Sequence, residues 1–144
     1  MKRVSTCLGG AMRTFMIALV LTALSAAGQD AGAKFAGTWE AKWKDRVVCT
    51  ITLKAGEPIS GETVACNLHV DDKGDLTEPE AGGGGDGTPA PILNPKLDGD
   101  TLTFQEKADD EMIKFEMKLV GDGRAELKIL DAPVLIKPIR FDRK

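Results

Sequence analysis

Residues 97–130 read LDGDTLTFQEKADDEMIKFEMKLVGDGRAELKIL, and their alternation decides the fold. Across 112–120, Ile113, Phe115, Met117 and Leu119 share one parity, while Lys114, Glu116 and Lys118 share the other. Successive side chains of a strand point to opposite faces, so this stretch predicts a strand with one face buried and one wet. Leu102 and Phe104 face inward on the segment before it. Leu127 and Ile129, set against Glu126 and Lys128, do so on the segment after it. Asp98-Gly99 between apolar residues is a tight-hairpin composition, and GDGR at 121–124 is a second turn. Strands joined by connections this short pair antiparallel.

The same period runs upstream. In VVCTITL (47–53), Val47, Cys49, Ile51 and Leu53 share a face; in ETVACNLHV (62–70), Val64, Cys66, Leu68 and Val70 share a face, with Thr63, Ala65, Asn67 and His69 opposite. The turn segment KAGEPISG lies between them. Folding the two antiparallel with Cys49 opposite Cys66 also sets Val47 opposite Leu68 and Ile51 opposite Val64. Cysteine pairing and hydrophobic register then agree, since a slip of one residue would turn one apolar set to solvent. One hairpin disulfide is expected, worth about 3 kcal/mol in the chain-entropy model. Two free buried thiols are the alternative. Zinc needs three or four ligands, and only His69, on the other face, could join the cysteines.

Trp39, Ala41 and Trp43 alternate with Thr38, Glu40 and Lys42 in a strand that begins after Gly37. ILNPKL follows a Gly-rich loop at 79–91, and its Pro95 predicts an edge or a bulge. VLIKPIRF (134–141) closes the chain as a further strand, with Pro133 and Pro138 giving it edge character. The sum is all-β: an antiparallel up-and-down barrel of about eight strands, spanning 35–142.

Ahead of it, Lys2, Arg3 and Arg13 precede the apolar run FMIALVLTALSAA (15–27), which ends in small residues. This charge–apolar–small order is that of a secretory signal peptide over 1–28, with either Met1 or Met12 as its start. The run has 13 residues, short of the roughly 20 that span a bilayer. Cys7 lies ahead of the run, so no lipid anchor is read there. Residues 29–34 are expected to form a flexible tail. Over the whole chain 19 Lys+Arg face 22 Asp+Glu; without the leader 16 bases face 22 acids, a charge of −6. An acidic exported protein without a basic face is no nucleic-acid binder. The compartment is secreted or periplasmic, where disulfides persist.

FAGTW (35–39) resembles the Phe-x-Gly-x-Trp signature on the first strand of lipocalin-like (calycin) barrels: lipocalins, fatty-acid-binding proteins and avidins. The resemblance implies that Gly37 permits the tight lead-in turn and Trp39 plugs one barrel end, with the family's closing arginine falling to Arg140 or Arg143. The LDGDTLTF hairpin is also similar to those of exported bacterial barrels built from repeated hairpins. A Trp strand, a Cys strand, a short loop and a second Cys (Trp39, Cys49, Cys66) resemble the periplasmic inhibitors of secreted metalloproteases. That resemblance implies that the tail, Gln29 to Lys34, would enter the protease cleft.

Reaction chemistry is scarce. The chain has one His and no Tyr. His69 stands on a polar strand face with no Ser or Cys at a recognisable offset, so a nucleophile–base set is not expected. Asp71, Asp72 and Asp75 crowd a turn without the twelve-residue calcium pattern. GGGGDG lacks the Lys and the helix of a phosphate loop. All acids are expected on turns or outward faces. No enzyme activity, metal or cofactor is expected. An eight-stranded barrel is either filled by its side chains or holds one small ligand. The candidate interior is Trp43, Ile51, Leu68, Leu102, Phe104, Phe115 and Met117, with Val47, Val64, Leu127 and Ile129 also inward. With no inward polar group, a ligand would be small and apolar; a partner protein outside the cytoplasm is the other expectation. The protease inhibitor is the alternative function.

Overall fold

The computed structural model describes residues 32–66, 68–78 and 87–144. The expected leader at 1–28, residues 29–31 of the expected tail, Asn67, and residues 79–86 of the expected Gly-rich loop lie outside the described residues. Among the described residues nine strands form one antiparallel sheet: β1 (Gly37–Trp43), β2 (Arg46–Lys54), β3 (Ser60–Val64), β4 (Ala90–Pro91), β5 (Leu93–Asp98), β6 (Thr101–Ala108), β7 (Glu111–Gly121), β8 (Arg124–Leu130) and β9 (Ile139–Arg143). Their order is β4-β3-β2-β1-β9-β8-β7-β6-β5. The two edges, β4 and β5, are consecutive in the chain and separated only by Ile92, so the sheet curls into a nearly closed barrel. The ninth strand arises because the expected ILNPKL strand is preceded by the two-residue β4. Its Pro95 falls within an irregularity between Leu93 and Lys96, the bulge that a missing N–H predicts.

The 97–130 meander folds as its alternation dictates. Phe104 pairs with Phe115, and Phe115 in turn with Ile129. Leu102, Phe104, Phe115, Met117 and Leu127 are buried, and Lys114, Lys118 and Lys128 are exposed. Gly99 turns the first hairpin at φ 58°.

The upstream hairpin corrects the expected register by one residue. Ile51 pairs with Thr63 and Thr50 with Val64. Thr63 is therefore the buried residue of β3, and Val64 is half-buried. Gly61, opposite Leu53, accounts for the slip: a Cβ there would run into the Thr52 carbonyl and the Leu53 side chain, so only glycine fits at this close approach. Continuing this ladder would set Cys49 against Ala65 rather than Cys66. Instead β3 ends at Val64, and Ala65 turns through a left-handed φ of 49°. Cys66 thereby reaches disulfide distance of Cys49, with Cα atoms 4.0 Å apart. The expected bridge survives a wrong register because one left-handed residue absorbs the offset.

Val47 is also corrected. It is 43% exposed, because β1 and β2 slip between Ala41 (paired with Cys49) and Lys42 (paired with Val47), leaving Val48 as an extra residue. Such a bulge re-aims the strand, and both Val48 and Cys49 are buried. The expected strand at 62–70 stops early; Val70 and Leu76 instead bridge a small loop. Within that loop Asp71 Oδ1 accepts the backbone N–H groups of Lys73 and Asp75, both at 2.9 Å. The expected strand at 134–141 shrinks to β9, and Val134 and Leu135 are exposed on an irregular segment before it.

Candidate ligand-binding site

The two ends of the barrel differ. At one end β1 leaves a single turn at residues 32–36 through Gly37, whose φ of 125° favours glycine. Trp39 and Phe35 are fully buried, and the Trp39 indole N–H donates to the Phe35 carbonyl at 2.8 Å. Arg143 lies with its guanidinium 4.6 Å from the Trp39 ring and donates to the Lys34 carbonyl. Arg140 instead pairs with Asp142, at 2.9 Å. Of the two arginines considered, Arg143 therefore covers the tryptophan. The backbone N–H of Arg143 reaches Gly123 O and that of Lys144 reaches Thr38 O. The Lys34 ammonium sits 2.6 Å from Asp100, and this neighbour holds the Asp100 carboxyl below its ordinary value. This end is sealed.

Toward the other end the inward faces change character step by step. On β6 the inward parity runs Leu102, Phe104, Glu106, Ala108; on β7 it runs Met117, Phe115, Ile113, Glu111; on β8 it runs Leu127, Ile129, then Asp131 just past the strand. The large groups nearest the plug fill the barrel. Beyond Phe104, Phe115 and Leu127 the interior opens into a cavity of about 420 Å³ that reaches the mouth. Its walls are Phe104, Phe115, Ile113, Leu127, Ile129 and Leu68, and the segment before β9 adds Pro133 and Ile136. The Phe104 and Phe115 rings stack with centroids 5.3 Å apart. The cavity falls within the ~300–1,000 Å³ typical of small-molecule sites.

Of the candidate interior residues, the fold brings Leu68, Phe104 and Phe115 together around this cavity, along with Leu127 and Ile129. Ile51 and Met117 are fully buried in the packed half and do not line it; Leu102, also fully buried, borders a separate hollow of about 300 Å³ with Ile59, Pro95 and Leu97. Trp43 is half-buried against the outer edge of the core, with the Lys44 ammonium 4.2 Å from its ring, and does not line it either. Cys66 stands at the cavity wall, so the Cys49–Cys66 pair fastens the mouth.

Four polar side chains line the site, against the expected apolar interior. Thr63 is buried, and its hydroxyl donates to Glu106 Oε2 at 2.8 Å. Glu106 lines the cavity, against the expectation that all acids lie on turns or outward faces. Parity is the signal that marks it: Glu106 has the same inward phase as Leu102 and Phe104. Glu111 and Asp131 also line the cavity, the latter 3.3 Å from Lys114, and no Lys or Arg among the described residues does.

Comparison of the chain with protein-family models, with curated proteins and with solved structures finds no match.

Proposed function

We propose that this chain is an exported lipocalin-like binding barrel, non-enzymatic, that takes up a small ligand with an apolar body through its open end. One observation carries the reading: a cavity of about 420 Å³ with stacked aromatic and aliphatic walls, reaching in as far as Phe104, Phe115 and Leu127. Apolar surface in a cavity this size gains by exchanging water for an apolar ligand. The lipocalin-like assignment is supported by Phe35, Gly37 and Trp39 at the sealed end and by Arg143 over the indole. Export is supported by the leader composition and by the cysteine pair, which suits an oxidising compartment.

The test is uptake of a neutral, environment-sensitive apolar fluorophore by the oxidised protein. Saturable binding with a blue-shifted emission is expected. Ile129, half-buried on the cavity wall, is the residue to enlarge. Ile129→Trp should fill the space and abolish uptake while leaving the β-sheet circular dichroism unchanged. Equal uptake by the folded variant would refute the site.

A further inference from the structure

We propose that the ligand carries a cationic head, an aliphatic or aryl-alkyl amine, and that Glu106 is the group that receives it. This rests on the binding-barrel reading and adds the chemical class of the ligand. The cavity is lined by three carboxylates, Glu106, Glu111 and Asp131, and among the described residues by no lysine or arginine. Two of the three are already satisfied by water or by a lysine. Glu111 is exposed at the start of β7, and Asp131 is exposed and paired with Lys114 at 3.3 Å.

Glu106 is different. It is half-buried, one step outward from Phe104 on the inward face of β6. Among the described residues it forms no ion pair, although lysines stand at 107 and 114 nearby in the sheet. Its one side-chain hydrogen bond among the described residues comes from the buried Thr63 hydroxyl to Oε2, which leaves Oε1 without a protein partner among them.

The Thr63–Glu106 bond also crosses the barrel seam. Thr63 belongs to β3 and Glu106 to β6, and β4 and β5 lie between them in the closed order. A carboxylate held from across the barrel at the border of an aromatic wall is oriented before any ligand arrives, which reduces the ordering cost of binding. A cation bearing an apolar chain satisfies both halves of the site. The chain covers Phe104, Phe115 and Ile129, and the ammonium donates to Glu106 Oε1. A carboxylate-headed ligand such as a fatty acid would meet three carboxylates, only one of them paired with a lysine, and among the described residues no cation in the lining.

The experiment compares decylamine, decanol and decanoate, each below its micelle-forming concentration, by calorimetric titration of the oxidised protein and of Glu106→Gln. Glutamine keeps an acceptor for Thr63 and removes the charge. The expected order is amine, then alcohol, then carboxylate, with the amine at least about tenfold tighter than the alcohol, the scale of one charge-assisted hydrogen bond. In Glu106→Gln that ratio should fall to within about twofold while decanol binding holds. Equal amine and alcohol affinities, or tightest binding of decanoate, overturn the cationic head and leave the apolar site standing. A tenfold amine preference that persists in Glu106→Gln overturns the assignment to Glu106. If none of the three binds, the inference falls together with the reading on which it rests. The wild-type series alone decides the head group should the variant fail to fold.

Discussion

Reducing the Cys49–Cys66 pair is the most direct perturbation of this fold. The cysteines are 17 residues apart in sequence, and β3 has already left the sheet when the chain reaches Cys66. The covalent link is therefore what holds the chain after Val64 to β2. Closing a loop of this length removes about 3 kcal/mol of denatured-chain entropy in the loop model. At about 2.1 cal/mol/K of unfolding entropy per residue, a barrel of roughly 110 residues changes its melting temperature by about 13 °C for that loss. The assay is thermal unfolding followed by far-UV circular dichroism, with and without reductant, alongside the Cys49→Ser/Cys66→Ser double variant. Reduced protein should melt about 10 °C or more below oxidised protein, and reductant should not shift the double variant. If oxidised and reduced protein melt within about 2 °C of each other, the pair does not constrain the chain, and the mouth is not fastened by it.

Three further outcomes are expected. Arg143→Ala removes the cation over Trp39 and the donor to the Lys34 carbonyl, and should cost about 1–2 kcal/mol in urea unfolding monitored by tryptophan emission; Arg143→Lys should recover only part of it, lacking the planar guanidinium. Met117→Ala in the packed half should cost about 3–4 kcal/mol, whereas Ile129→Ala on the cavity wall should cost about 1 kcal/mol, because no closed void is created there; equal costs would show the interior to be uniformly packed. The Asp100 carboxyl is depressed by its hydrogen bond and charge interaction with Lys34, so its small contribution is present above the ordinary Asp range, near pH 4, and is lost as pH falls through the lowered folded value. Wild type should therefore melt slightly above Asp100→Asn at neutral pH, and the gap should close on acidification; a gap that widens in acid refutes the pairing.

Legibility follows the physics of each segment. The apolar positions from Leu102 to Met117 read directly because one wet face and one dry face force alternation and nothing interrupts that ladder, whereas the slip between Leu119 and Gly121 leaves no such mark. The 47–70 hairpin reads with the right partners and the wrong register. Apolar pairing favours Val64 inward, but the close approach at Gly61 fixes the ladder one residue away, and a glycine leaves no hydrophobic trace. The bulge at Val48 is hidden for a similar reason: an extra residue in an already apolar run does not disturb the pattern that reveals strands. For the closing arginine the sequence offers Arg140 and Arg143, and only three-dimensional adjacency to Trp39 separates them. Glu106 is readable by parity, yet an acid on an inward phase looks like a strand's outer turn unless the interior is known to be open there.

The distribution of restraints between the two ends follows from this geometry and bears on function. At the sealed end, backbone bonds from Arg143 and Lys144, the buried Trp39–Phe35 bond and the Lys34–Asp100 pair secure both chain ends of the barrel. At the mouth, β3 has ended and β9 has not begun, so backbone pairing is sparse where the cavity needs its walls. Other restraints stand in for the ladder there. The cysteine pair fastens the chain beyond β3. Lys137 reaches Gly74 O through its backbone N–H at 3.0 Å and Asp75 through its ammonium at 2.6 Å, tying the segment before β9 to the Asp71 loop. The Thr63–Glu106 bond braces the seam. These restraints act between side chains or at single points, so they can hold a cavity open without filling it, as a continuous ladder of inward apolar groups would. Loosening the mouth by reduction should then weaken ligand uptake at temperatures well below unfolding, while the emission of Trp39 at the plugged end, followed in a Trp43→Phe background, stays native.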